Sequence, residues 1–298
     1  MLTPPDDLPE GVLREAFALA EVEYAPVGWG SHHWVATGVD GGRWFLTVDE
    51  VGASFERLRR ALDAASALRL PFVVAPVRPV QRLGEKYAGA LYPYIWGESF
   101  SWGDWPAASH REAVRDMLIA VHAAPAQVRR RAGTDDFAIP HRDGLEAALA
   151  GEPPADHGPY AEPAARLIAA HAASIRAELD RYDELVATAD RSRSVLTHGE
   201  PHPGNTMRAA DGWKLIDWET ALVAPPERDL WLLGDDHTGY TAATGIRVVP
   251  GMLELYRRRW LLNDLCVDLR RFRRPHSGNP EDEESWQLLQ ANVERGLT

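Results

Sequence analysis

Cysteine is nearly absent. Cys266 is the only one in 298 residues, which excludes an intramolecular disulfide and paired zinc-ligand spacing and fits a reducing compartment. Lysine is almost as scarce: Lys86 and Lys214 are the only two, and the rest of the 32 bases are arginine. Against 44 acids this leaves a net charge of −12. An acidic surface argues against nucleic acid as the main partner, because phosphate neutralisation needs basic patches. It is compatible with a small cationic molecule drawn in by the field. No apolar run approaches the ~20 residues of a membrane helix. The acidic, Pro-containing start MLTPPDDLPE lacks the apolar core of a secretory signal. The expectation is a soluble, cytoplasmic protein with neither membrane nor nucleic acid as partner; composition leaves its oligomeric state open. Hydrophobic content of 45% and charged content of 26% are those of a globular chain long enough for two domains. There are no internal repeats.

Along the chain, residues 11–20 read as a short amphipathic helix with Leu13, Phe17 and Leu19 on its apolar side. Gly28 and Gly30, followed by Ser31, sit between two β-like runs, and RWFLTV (Arg43–Val48) follows the turn signal Asp40-Gly41-Gly42. Phe55, Leu58, Leu62, Ala65 and Leu68 make a helical stripe over 54–68. Val73–Val80 and Tyr87–Tyr92 are β-like, and LYPYIWGES reads as an extended connector. Ser109-His110-Arg111-Glu112 has capping-box spacing for a helix to about Ala123, where His122 reads as a packed helix-end residue. Residues 125–160 read as irregular, Pro163 opens a long Ala-rich helix to about Thr188, and 251–272 form an amphipathic helix. The acidic run Glu281–Glu284 suits a helix N-terminus.

The densest chemistry lies in 196–220, LTHGEPHPGNTMRAADGWKLIDWET. Two short strands, Thr206–Ala209 and Trp213–Ile216, are expected around an Asp211-Gly212 turn. That register puts Trp218 opposite Asn205 and Asp217 opposite Thr206, with Asn205 and Asp217 diagonal at roughly 5–8 Å. An amide oxygen and a carboxylate form a hard oxygen pair that suits Mg²⁺, which takes few protein ligands. Glu200 stands five residues before Asn205 in a turn stiffened by Pro201, Pro203 and Gly204. A positioned carboxylate, an Asn and a metal-binding Asp are the working parts of kinase-type phosphoryl transfer.

His198-Gly199-Glu200 with Asn205, then Ile216-Asp217-Trp218-Glu219, resembles the H-G-D-x-x-x-x-N and I-D-x-E signatures of the aminoglycoside phosphotransferase-like kinases. The resemblance covers most of the chain. It implies an α+β, two-lobed protein-kinase-like fold: a small antiparallel-sheet nucleotide lobe over residues 1–95, and a larger, mainly helical catalytic and substrate lobe over 96–298. It implies ATP or GTP as co-substrate, Mg²⁺, and transfer to a hydroxyl of a small cationic molecule such as an aminoglycoside or aminocyclitol. On the same ground Glu200 is the catalytic carboxylate, and Asn205 and Asp217 hold the metal. Gly28, Gly30, Ser31 and Thr47 border the nucleotide, and Tyr94 and Ile95 offer it main-chain groups. His198, Glu56, Glu219 and Asp229 are supporting residues; Asp229 reads equally well as a helix-N-terminal acid.

Two positions depart from the family pattern. Glu200 replaces the usual aspartate, one methylene longer with nearly the same acidity. Thr47 stands where the family has a strand-three lysine, and neither lysine of the chain is near it; Arg43, Arg57 or Arg59 are the candidate replacements. These departures keep open a pseudokinase that binds nucleotide without transferring phosphate. A small-molecule binder that uses the aromatic-rich connector without nucleotide is a third reading.

Overall fold

Leu13 and Phe17, one helical turn apart, are both fully buried in helix α1 (Glu10–Phe17). Ala18 then turns the backbone into the left-handed region at φ 51°, so Leu19 opens strand β1 (Leu19–Ala25) instead of closing the helical face. The computed structural model describes residues 3–28, 30–154 and 157–296. Strands β2 (His32–Gly38) and β3 (Arg43–Glu50) follow, then helix α2 (Phe55–Leu68), β4 (Gln81–Leu83) and β5 (Tyr87–Pro93). They form an antiparallel sheet in the order β1-β2-β3-β5-β4. Period-two alternation divides its faces. Trp34, Ala36, Leu46, Val48 and Leu91 join Leu13 and Phe17 in the core, while His33, Val35, Phe45, Thr47, Asp49 and Tyr92 form the half-buried opposite face. That second face carries the polar groups of His33, Thr47 and Asp49.

The expected strand at Val73–Val80 does not form. Val73 makes one isolated parallel bridge to Leu215, and Pro76 and Pro79 lack the N–H groups a ladder needs. After Tyr94–Trp96 the chain enters β6 (Gly97–Ser99), which pairs with β9 (Thr206–Ala209); β9 in turn pairs with β10 (Gly212–Leu215). Helix α3 (Ala108–His122) begins one residue before Ser109, and its N-cap Ala107 makes no side-chain bond, so the expected capping box is not used. A third small sheet joins β7 (Gly133–Thr134), β8 (Val195–Thr197) and β11 (Leu222–Ala224) in the order β7-β11-β8.

The chain contacts group residues up to Asp135 with Arg191–Val248 as one compact unit, and Asp136–Asp190 with Val249 onward as another. Strand β6 hydrogen-bonds into the β9–β10 hairpin within the first of these units. The second unit is helical, with elements at Arg142–Leu149, Ala161–Ala170, Ala172–Ala187, Pro250–Phe272 and Pro280–Gly296. Its core includes Leu145, Ile168, Ile175, Leu262, Leu265 and Phe272. The stretch read as irregular thus contains a two-turn helix at Arg142–Leu149. The expected single helix from Pro163 is two, broken at His171, whose backbone at φ −107° and ψ 14° leaves the helical region. Asp282 accepts from the Gly278 and Asn279 amides at 2.8 and 3.0 Å ahead of the last helix.

Candidate active site

The β9–β10 hairpin turns through Ala210-Asp211, not Asp211-Gly212. Gly212, at φ 125°, already pairs with Ala209 as the first residue of β10. Its freedom from a Cβ is spent on leaving the turn. Leu215 therefore lies opposite Thr206, and the Ile216 amide donates to the Asn205 carbonyl at 2.9 Å. Asn205 and Asp217 remain diagonal neighbours at the open end of the hairpin, two positions out of the expected register. Asp217 is held at φ 70°, a left-handed conformation that Asp tolerates better than most side chains.

The Asn205 amide nitrogen donates to the Glu200 carbonyl at 2.9 Å, which leaves the amide oxygen as the atom suited to a cation. Glu219 hydrogen-bonds Asp217, and burial together with the Asp217 charge pushes its carboxyl well above the usual range. Among the described residues no three His, Cys, Asp or Glu side chains cluster as a complete metal cage. An amide oxygen beside two crowded carboxylates still fits Mg²⁺, which keeps most of its shell for water and phosphate.

The loop before Asn205 hangs on one buried carboxylate. Asp229, in the short helix Glu227–Leu230, is fully buried and accepts from the His198 amide at 2.9 Å and the Gly199 amide at 2.6 Å. His122, at the end of α3, bonds its Oδ2 at 2.9 Å and the Tyr240 hydroxyl at 2.8 Å. Burial alone would raise the Asp229 carboxyl, but its bond to His122 and the Arg228 charge outweigh that and hold it below the usual range. His198 is fully buried too; its Nε2 faces the Ile216 carbonyl at 2.8 Å, and the Glu200 amide donates to its Nδ1 at 3.2 Å. Burial keeps that ring neutral by lowering its pKa. Gly199, at φ 108°, admits no side chain, because a Cβ would meet the Arg228 guanidinium at 2.5–2.7 Å. Arg228 ties Thr197 and the Thr220 carbonyl together at 2.9 and 2.8 Å.

The sheet face carries the other residues expected at the site. Gly28 and Gly30 have φ of 76° and 81°, as a tight strand-to-strand loop requires; Trp29 between them lies outside the described residues. Ser31 is buried and donates its hydroxyl to Asp49, so it anchors the loop. Burial pushes the Asp49 carboxyl up to about 6, against the bond from Ser31 and with help from Asp217. Because the folded value exceeds the unfolded one near 3.9, Asp49 ionises more readily in the unfolded chain. Its contribution to stability therefore falls as pH rises from about 4 to about 6 and stays reduced above that. Asp49→Asn, which still accepts from Ser31, is expected to raise Tm at pH 7.5 and leave it unchanged at pH 3.5; thermal scans at the two pH values check this.

Thr47 pairs with His33 across β2 and β3, and their side chains meet at 3.2 Å. None of the proposed arginines stands in for the missing lysine. Arg43 lies over the Tyr94 and Trp96 rings at 5.1 and 5.5 Å, Arg59 pairs with Glu56 and Asp63, and Arg57 is exposed. Glu56 itself is not brought to the site. Its side chain is 68% exposed on the face of α2 opposite Leu58 and Leu62, where it bonds Arg59. Tyr94 and Ile95 lie in the link between β5 and β6. Asp49, His122 and Arg228 were not singled out as site residues from sequence. Only Asp49, two positions from Thr47 on one strand face, carried a readable signal.

A hairpin carrying an Asn and an Asp at its open end, a buried-carboxylate brace and a glycine-containing loop at the edge of an antiparallel sheet belong to a protein-kinase-like fold. The family described as "Phosphotransferase enzyme family" matches over residues 21–275. The chain belongs to that family. It is 32% identical to protein StrN of Streptomyces griseus over 237 residues, covering 73% of this chain and 70% of StrN. Its fold is similar to that of spectinomycin phosphotransferase APH(9)-Ia in complex with ADP and spectinomycin, at a TM-score of 0.70 and 17% identity, covering 93% of this chain and 92% of the other. It is also similar to aminoglycoside phosphotransferase APH(4)-Ia in a ternary complex with AMP-PNP and hygromycin B, at a TM-score of 0.61 and 14% identity, covering 97% of each. Macrolide 2'-phosphotransferase MphH of Brachybacterium faecium matches at 0.53 and 17% identity, over 98% of this chain and 99% of its own. The non-transferring alternative finds no support among these relatives. Among the described residues no helix is long and apolar enough to cross a membrane.

Proposed function

We propose that this protein transfers the γ-phosphoryl group of ATP or GTP to a hydroxyl of a small cationic molecule, with an aminocyclitol or aminoglycoside as the first candidate. The observation that carries this reading is the placement of Glu200, Asn205 and Asp217 on one loop and hairpin braced by the buried Asp229. Glu200 orients the acceptor hydroxyl and takes its proton as the bond to phosphorus forms. In a loose transition state positioning outweighs basicity, so the longer side chain serves as well as aspartate where it reaches the hydroxyl. Asn205 and Asp217 would hold Mg²⁺, which supplies charge neutralisation on the phosphate oxygens when bound. His198, neutral and buried, fixes the loop that presents Glu200. Residues 1–95 serve as the nucleotide lobe, with Gly28, Gly30, Ser31 and Thr47 along the phosphates and the main chain of Tyr94 and Ile95 at the base; 96–298 supply the chemistry and the acceptor site.

The acidic chain, net −12, favours a cationic acceptor. The spectinomycin and hygromycin B seen with the structural relatives make aminocyclitols the first class to test, and inactivation of such an antibiotic in the cytoplasm the expected role. The test is Mg²⁺-dependent ADP or GDP release across a panel of aminocyclitols, aminoglycosides, macrolides and amino alcohols. Turnover with a cationic hydroxylated acceptor is expected, and Glu200→Gln should lower kcat by about 10²–10⁴-fold with little change in nucleotide KM. Nucleotide binding without turnover on the whole panel would refute transfer, and ligand binding without nucleotide would refute both.

A further inference from the structure

A nucleotide held between the glycine loop and Asp217 brings three or four negative charges to a face already lined by Asp49, Asp217 and Glu219. The chain's two lysines are engaged away from it: Lys86 with Asp7 and the Tyr87 hydroxyl, Lys214 with Asp211 and the Pro71 carbonyl. What the face does contain is His33. Its β2 position pairs with Thr47 in β3, and its ring stacks on Phe45 with centroids 5.2 Å apart and planes at 26°. Nδ1 lies 3.2 Å from the Thr47 hydroxyl. The other nitrogen, Nε2, lies under the glycine loop, only 3.1 Å from where a Cβ on Gly28 would stand.

Resting on the nucleotide site proposed above, we propose that His33 Nε2–H donates to a nucleotide phosphate oxygen, doing for this chain what a strand-three lysine does elsewhere, with Thr47 as the positioning residue. The Thr47 hydroxyl can donate to Nδ1 or accept from it, so the contact admits either tautomer. A Thr47 hydroxyl that donates to Nδ1 leaves the proton of a neutral imidazole on Nε2, and an imidazolium carries one there as well. Both of these forms present a donor beneath Gly28, and phosphate binding selects them. The Asp217 carboxylate acts on the same ring: it favours the charged imidazole against the larger opposing effect of burial. Thr47 thus keeps its place beside the nucleotide, but as the group that aims a histidine.

The experiment measures the affinities of Mg²⁺–ATP, Mg²⁺–ADP and adenosine by calorimetry for the wild type, His33→Leu, His33→Gln, Thr47→Val and Asp217→Ala. His33→Leu keeps the bulk of the ring without a donor, and His33→Gln keeps an N–H at the reach of Nε2. For ATP, His33→Leu should weaken binding by about 10–100-fold, as expected for a charge-assisted hydrogen bond. His33→Gln should retain most of that affinity, and Thr47→Val should lose a smaller part of it. Adenosine, which has no phosphate, should bind all of them alike. Equal ATP affinities for His33→Leu and the wild type overturn the proposal, as does a loss that is the same for adenosine and ATP. If Asp217→Ala weakens ATP binding while His33→Leu does not, the nucleotide site stands and only the role of His33 falls. If the wild type binds neither ATP nor adenosine, the nucleotide reading falls with it.

Discussion

Asp217→Ala is expected to reduce phosphoryl transfer by at least about 10³-fold, which is on the order of 4 kcal/mol of barrier at ~1.4 kcal/mol per decade. In phosphoryl transfer the protein contributes mainly position and charge, and the proposed function makes this carboxylate the place where both meet. It sits at the open end of the hairpin beside Asn205, bonded to Glu219 and close enough to bias Asp49 and His33. The change removes a like charge from Glu219 and Asp49 but adds strain to a left-handed backbone, since Ala tolerates φ 70° less well than Asp. Stability should therefore change little while activity disappears. Product formation and a Tm measured on the same sample check this; activity within tenfold of wild type would remove Asp217 from the chemistry.

Asp229→Ala should act through stability instead. The fully buried carboxylate receives the His198 and Gly199 amides and the His122 ring, and deleting it leaves three buried donors without an acceptor. Breaking such a buried charged contact costs about 3–5 kcal/mol. For a chain of this size that lowers Tm by roughly 5–15 °C. Because the folded carboxyl titrates below the unfolded one, its contribution is complete above the unfolded value near 3.9 and is withdrawn as pH falls through the lower folded value. The Tm difference between wild type and variant should thus be largest at neutral pH and shrink below pH 4. A Tm within 2 °C of wild type at pH 7.5 would show that the loop does not hang on this group.

The family-defining segment was legible because its information is local. Spacing within His198–Asn205 and Ile216–Glu219 identifies the residue types, and period-two runs predict most of the sheet. The hairpin register differs by two positions from the one its turn signal predicts. Asp211-Gly212 has the composition of a turn, but the side chains of β9 and β10 decide the pairing, and Gly212 then serves at the start of a strand. The break at His171 and the absent strand at 73–80 were missed because helical period and β propensity continue through both.

By itself, the amino-acid order determined the class of chemistry: an acid, an amide and a second acid at fixed intervals, in a chain without disulfides and with almost no lysine. Only the folded arrangement decided which groups serve those three. Glu56 turned outward because the apolar stripe of its helix points the other way. Asp229 turned inward to collect amides from a loop thirty residues earlier. His33, unremarkable in the sequence, came to lie beneath Gly28 and against Thr47 because strand pairing joins residues fourteen apart. Local spacing encodes side-chain identity, whereas contacts across strands and between distant segments exist only once the backbone has paired.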